Sequence, residues 1–363
     1  MPGRDPTPIC LNMIVKNEAH VIRRCLDSVR AHVAHWVIVD TGSMDGTQDI
    51  VRDHLRDLPG ELHERPWRDF GSNRSEALAL ARGLAPYVLV MDADNVLHTP
   101  PGYAFSDLHA DGYWFTHRYA GVEYVLPLLL ADQIEWRYEG VLHEYVTAAT
   151  AHHFVPLEGP WIECLHEGAR SRDPETYRKD AAILEAALVR EPGNTRYAFY
   201  YAQSLRDAGE ARRARDAFRR RAGMGGWDEE AWYARFQAAL LDERLGESAA
   251  AVQHAYLAAF QARPTRAEPL VELARFHRER QQHALALLYA RQAAGMPRPP
   301  DRLFVDEATY AWRALDELAI AGWYAGARDE GRAAARRLLS ENRFPPVERP
   351  RIEANCAFYR MPQ

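Results

Sequence analysis

The pattern of apolar and polar positions changes its period about half-way along the chain. In the first half, short apolar runs alternate with segments whose apolar residues recur every three to four positions. Residues 9–15 form one apolar run. Val21, Ile22, Cys25, Leu26 and Val29 then fall on one helical face, with Asn17 placed to cap that helix. Strands are predicted over 36–39, 61–65 and 87–91, and helices over 47–58 and 72–84. Such alternation predicts βαβ units and an α/β, Rossmann-like, mostly parallel sheet. Ligands of these sheets sit beyond the carboxyl ends of the strands. The polar clusters Lys16-Asn17-Glu18, Asp40 to Asp45 and Asp92-Ala93-Asp94 all fall at such ends.

From about Pro174 helix follows helix. Pro192 and Pro264 lie two periods of about 36 apart, and the turn glycines Gly209 and Gly246 one period of about 37, close to the tetratricopeptide repeat length. The expected organisation is an α/β domain over 7–170 and an all-α domain of tetratricopeptide-like repeats over 171–340. About three imperfect repeats and a terminal helix pair near 310–339 make up the second domain, with a proline-rich, partly ordered tail over 341–363. A plain irregular helical bundle is the alternative for the second half.

Composition narrows the function. The 363 residues have room for two domains, and 47% hydrophobic and 26% charged residues are globular values. A net charge of −6 speaks against a general nucleic-acid binder. The basic cluster of Arg212, Arg213, Arg215, Arg219, Arg220 and Arg221 reads as the solvated face of a helix. Cys10, Cys25, Cys164 and Cys356 are scattered, which fits a reducing compartment and offers no thiolate metal site. The first residues, MPGRDPTP, have no apolar core of a secretory signal. The apolar stretch 122–134 is too short to span a membrane and contains Glu123 and Asp132. A soluble, cytoplasmic protein with no membrane span is expected.

The chemistry-bearing residues cluster. Asp92 and Asp94, separated by the small Ala93 on the turn leaving a strand, suit a divalent cation and a diphosphate that must leave. In the run 40–47, Gly42 and Gly46 permit a tight turn, while Asp40, Ser43 and Asp45 can bond a base or ribose. For Asp45 an ordinary capping turn is an equal reading. Asp40, at the strand terminus, is the candidate for the nucleobase. Asn73 and Arg74 open a helix, where amide N–H groups favour anions and a guanidinium would add a charged partner for a diphosphate. Farther on, Glu144, beside His143, is the candidate base for an acceptor's proton, and His166 a candidate metal ligand with Asp94 and Asp92. Either histidine can equally be a hydrogen-bonded structural residue.

Together these motifs resemble the family 2 glycosyltransferases of GT-A fold, and within them the bacterial subgroup with C-terminal tetratricopeptide repeats. The resemblance rests on Ile14-Val15-Lys16-Asn17-Glu18, Asp40-Thr41-Gly42-Ser43 with Asp45-Gly46-Thr47, Glu64-Arg65-Pro66-Trp67, Asn73-Arg74, Asp92-Ala93-Asp94, Gly140 to Glu144 and Gly168 to Pro174. The layout is similar to the sublancin-type peptide S-glycosyltransferases. That resemblance implies inverting transfer from a UDP-sugar, a Mg²⁺ or Mn²⁺ cofactor, a peptide or protein acceptor held with help from the repeats, and compatibility with a homodimer. The acceptor-side ED and QxxRW signatures of processive polymerases are lacking, so the base has no familiar anchor. Two rivals stay open. A nucleotidyltransferase would open with a glycine-rich loop, absent after the first strand. A partner-binding repeat protein with an inactive first domain would not need both Asp92 and Asp94.

Overall fold

Strand β1 (Ile9–Val15) shows why the sheet is double-layered. Its residues Ile9, Leu11, Met13 and Val15 pack into one core with Ile22, Cys25 and Leu26 of helix α1 (Ile22–Val29) and Val51 of α2 (Thr47–His54). Cys10 faces the other way, into a core with Leu78 and Ala81 of α3 (Phe70–Ala81). Period-two alternation therefore buries both faces. Asn12, on the α3 side, is paired: its Nδ2 donates to the Ala77 carbonyl at 2.8 Å.

The computed structural model describes residues 6–119, 122–150 and 152–360, and the chain divides into two units between Ala187 and Leu188. The division falls inside α4 (Thr176–Arg190), later than the sequence pattern suggests, because this helix continues without a break. In the first unit β2 (His35–Asp40), β3 (Gly60–Glu64), β4 (Tyr87–Val90), β5 (Asn95–His98), β6 (Gly112–Tyr119), β7 (Val122–Ala131) and β10 (Phe154–Cys164) join β1 in one sheet. Its order is β3-β2-β1-β4-β7-β6-β10-β5. β3-β2-β1-β4 is parallel, as expected, and β10 runs parallel to β6; β7 is antiparallel to both neighbours and β5 to β10. β8 (Trp136–Glu139) and β9 (Tyr145–Ala148) form a separate hairpin.

Two local expectations change. Asn17 does not cap α1: it has φ 58°, and the amides of Val21 and Ile22 donate instead to the Glu18 carbonyl. α3 starts earlier than predicted because Asp69 caps it, accepting from the Ser72 amide at 2.7 Å.

The second unit stacks helix pairs: α5 (Thr195–Asp207) with α6 (Ala211–Ala222), α7 (Asp228–Arg244) with α8 (Ala249–Ala262), α9 (Glu268–Glu279) with α10 (His283–Ala294), and α11 (Ala314–Tyr324) with α12 (Arg328–Glu341). The turns inside the pairs reverse on Gly209 (φ 80°), Gly246 (φ 75°), Gln281 (φ 60°) and Gly326 (φ 80°). Only the third lacks glycine. Gln281→Gly is therefore expected to raise stability by about 0.5 kcal/mol, relief of a left-handed side chain outweighing the added chain entropy. A lower denaturation midpoint for the variant would contradict this.

Residues 344–360 are not a loose tail. α13 (Arg349–Ala357) buries Ile352 and Cys356, and with Phe344 they join a core shared with Leu315, Leu318, Ala334 and Leu338. The basic cluster is also not uniformly solvated. Arg221 is fully buried, donating to the Gly225 carbonyl at 2.8 Å and to Glu230 at 3.0 Å, and Arg219 pairs with Asp242. A groove of about 850 Å³ opens in this unit, lined among others by Arg278, Trp312, Arg313, Trp323, Tyr324 and Arg351.

Candidate active site

Loops from the carboxyl ends of β1, β2 and β4 are tied together by their own polar groups. The Asn17 amide donates to Ser43 Oγ (2.8 Å), and Asn17 Oδ1 accepts from the Met44 amide (2.8 Å). Asp45 accepts from the amides of Ala19 (2.9 Å) and Thr47 (3.1 Å) and from the Thr47 hydroxyl (2.6 Å). Although burial opposes it, these bonds hold the Asp45 carboxyl below its ordinary pKa. Asn17, Ser43 and Asp45 thus fasten one loop to the next. Asp40 is different. It is 1% exposed; its Oδ1 accepts from the Gly42 and Ser43 amides, both at 2.8 Å, and its Oδ2 is buried with no partner among the described residues. Gly42, at φ 109°, takes the turn that aims its amide back at Asp40. A buried acceptor left unpaired is costly, so Oδ2 calls for a donor that the described residues do not supply.

At the end of β4, Ala93 packs into the core rather than lining a donor site, because its methyl is turned into the apolar layer, while Asp92 is exposed and Asp94 half-buried. Asp94 Oδ2 accepts from the Gly168 amide at 3.0 Å, and Glu18 accepts from the next amide, Ala169, at 3.2 Å. A Cβ on Gly168 would lie 3.1 Å from Asp94 Oδ2 and 3.3 Å from the Glu18 carboxylate, so a side chain here would have to push both carboxylates back slightly. The segment is also held by Glu167, which pairs with Arg24 at 2.7 Å. Burial, then the charges of Asp94 and Asp92, push the Glu18 carboxyl up to about 7.

Arg74 joins the two halves of the site. Its Nη2 donates to Asp92 at 2.5 Å and its Nε to Glu144 at 2.6 Å, with the Tyr138 ring 5.7 Å away. Burial opposes its charge, but the two carboxylates outweigh it and raise its pKa. For Asp92 burial is likewise outweighed, chiefly by Arg74, and the carboxyl is held low. Glu144 reaches Arg74 because α3 lies directly on the turn before it. The Gly71 amide donates to the Gly140 carbonyl at 3.1 Å, and a Cβ on Gly71 would stand 2.5 Å from that oxygen. His143, at φ 52°, is exposed on the same turn. Asn73 is spent on structure: fully buried, it accepts from the Arg68 amide and donates to the Pro66 carbonyl. His166, at φ 51°, packs its ring 4.1 Å from Tyr119, close enough to Asp92 for their charges to interact.

Residues 10–100, which hold β1 to β5 and these loops, match the sequence model of Glycosyl transferase family 2. Over that stretch the first unit is similar to the family 2 glycosyltransferases. A TPR repeat-containing protein of Synechococcus elongatus is 38% identical over 95 residues, 26% of this chain and 22% of that protein. Glycosyltransferase SunS of the SPbeta prophage in Bacillus subtilis is 32% identical over 92 residues, 25% of this chain and 21% of SunS. The likeness thus spans about a fifth of each relative's length. A tetratricopeptide repeat protein from Parabacteroides merdae is 17% identical over 51% of this chain and 66% of its own, at a TM-score of 0.38, too low to argue from.

The loops at these strand ends have a donor set suited to a small hard cation shared with a diphosphate. Among the described residues no three His, Cys, Asp or Glu side chains converge into a cage. Asp94 Oδ1, however, has no protein partner there. One or two carboxylates completed by substrate phosphates is how Mg²⁺ is commonly held.

Sequence reading misses the part played by Glu18 beside Asp94 and the contribution of β6 and β7, whose residues His117 and Tyr124 stand near Asp92. The pairing of Glu18 with distant Gly168 and Ala169 leaves no trace in local spacing. In metal-free buffer, ionising Glu18 costs the folded domain stability as pH climbs from its unfolded value near 4.5 to about 7. Glu18→Gln should match the parent near pH 4.5 and exceed it at pH 8 by about 1–2 kcal/mol, half-exposure having been discounted. Thermal melts whose difference stays flat across that range would refute the assignment.

Proposed function

We propose that the first unit is an inverting transferase that moves a sugar from a UDP-sugar to an acceptor, a peptide or protein side chain (Cys, Ser or Thr) being the class that the resemblance favours. The observation that carries the donor is Asp40. Its unpartnered Oδ2 lies at the end of β2, in the loop cluster that precedes the Asp92-Ala93-Asp94 turn, and a nucleobase N–H such as uracil N3–H would satisfy it. Asn17, Gly42, Ser43 and Asp45 shape that pocket through their mutual bonds.

Asp94, with Asp92 and His166 beside it, would hold Mg²⁺ or Mn²⁺ against the diphosphate, the cation supplying charge neutralisation to the leaving group. Arg74, fixed by Asp92 and Glu144, sets a second positive charge at the same edge. Glu144 takes the acceptor's proton, held in place by the Arg74 Nε bond; a thiol acceptor would need less help, since part of it is thiolate at neutral pH. The groove of the second unit, with Trp312, Trp323 and Tyr324 among arginines, suits an extended peptide and supports a role for the repeats in acceptor binding.

The test is a donor screen. The protein is incubated with UDP-, GDP- and TDP-sugars and Mn²⁺, Mg²⁺ or EDTA, and free nucleoside diphosphate is followed. UDP release from one sugar, lost with EDTA, is the expected result. Release of pyrophosphate would point instead to nucleotidyl transfer. No release, and no donor binding by calorimetry, would leave a partner-binding repeat protein.

A further inference from the structure

His117 has no part in the reading above, yet its geometry is that of a recognition group. It sits on β6, one strand beyond β7, which pairs with β4 and so lies next to the strand leading into Asp92. The residue is 2% exposed. Its Nδ1 lies 3.0 Å from the Phe115 carbonyl. A carbonyl oxygen only accepts, so Nδ1 carries the proton, and in the neutral ring Nε2 is left as a bare acceptor. Burial, the largest influence, keeps the imidazole below its ordinary pKa and so neutral.

Nε2 bonds to no described residue, and it is not among the fully buried atoms that lack a partner. The small exposure left to the ring therefore includes this nitrogen. Its setting is fixed from the other side too. The ring stacks on Tyr124, its cross-strand partner, with centroids 5.2 Å apart and planes 20° from parallel, and the Tyr124 hydroxyl lies 3.3 Å from Cys164 Sγ. Tyr124 feels the charges of both Asp92 and Asp94, and His117 that of Asp92.

A lone pair held rigid, within reach of the Asp92 charge and unclaimed by the described residues, matches two partners, a metal ion or a hydroxyl. The proposed cation already has candidate ligands in Asp94, Asp92 and His166, whereas the hydroxyls of the transferred sugar still need acceptors. We infer that His117 Nε2 accepts a hydrogen bond from a hydroxyl of the transferred sugar, with Tyr124 holding the ring at that angle, so that this pair helps select the sugar of the donor.

The inference rests on the UDP-sugar reading, and the test separates the two. Affinities for UDP, UDP-glucose, UDP-galactose and UDP-N-acetylglucosamine are measured by calorimetry with Mn²⁺ on the full chain and on His117→Asn and His117→Gln. Asparagine can keep the bond to Phe115 but has nothing at the Nε2 position; glutamine can place its amide oxygen there. The expected result is that the His117→Asn variant binds the best-held UDP-sugar about tenfold more weakly, the scale of one lost hydrogen bond. UDP affinity should stay unchanged, and His117→Gln should recover most of the loss. Equal weakening of UDP and UDP-sugar would overturn the inference as a structural effect. So would equal behaviour of the two variants, or normal sugar-nucleotide binding with slowed turnover, which would make His117 a proton-transfer group. If the parent protein binds no UDP, the donor reading falls first and this inference with it.

Discussion

Arg74→Ala is expected to cut turnover by at least about a hundredfold and to destabilise the first unit by about 1–3 kcal/mol, less than for a fully buried pair because the Asp92 side chain is 52% exposed. The guanidinium is 13% exposed and bonds Asp92 at 2.5 Å and Glu144 at 2.6 Å. Removing it leaves the poorly solvated Glu144 carboxylate without its partner, with the half-exposed Asp92 carboxylate near it. Asp92 is held below its ordinary pKa largely by Arg74. Its contribution to stability is therefore present above the unfolded-state value near 3.8 and is lost as pH falls through the folded value. In the variant that acid-side dependence should shift upward. Arg74→Lys should recover little, because an ammonium cannot span both carboxylates with fixed geometry. Denaturation curves and UDP-release rates at several pH values check this; a variant as stable and as active as the parent would remove Arg74 from the site.

Asp94→Asn should leave the fold intact and lower metal-dependent turnover by about three orders of magnitude, several kcal/mol of charge stabilisation at the leaving diphosphate. The amide is nearly isosteric, and its oxygen can still accept from the Gly168 amide, whose bond to Asp94 is 3.0 Å. What is lost is the negative charge. An unchanged melting curve with greatly reduced turnover and weakened Mn²⁺-dependent nucleotide binding supports the ligand role. Near-parental activity that still requires metal would exclude it.

The alternation over residues 9–91 is legible because the central strands there are buried on both faces and each helix carries one apolar stripe, so period alone distinguishes them. The later strands are harder. β7 exposes Tyr124, Val125 and Leu126 in succession, so it has no alternation to read, and β10 carries Gly159 and Pro160 within a register shift. At the site, Asp40, Asp92 and Asp94 are legible since strand-end acids after apolar runs are unusual. The Arg74 bridge to Glu144 is not, because it depends on Gly71 and Gly140 touching across 69 residues of sequence (140 less 71). Nor can spacing show that Asn73 turns inward while Arg74, its neighbour, turns toward the carboxylates.

In the second unit, Phe344, Ile352 and Cys356 close the last helical layer. Stacked repeats gain stability only from neighbours, so the final pair depends on whatever covers its outer side. A chain ending shortly before Phe344 would present Ala334, Leu338 and Leu318 to water as a bare apolar ledge. Such a shortened protein would be prone to self-association through that ledge, and any oligomer it formed would report on the missing lid rather than on the native surface.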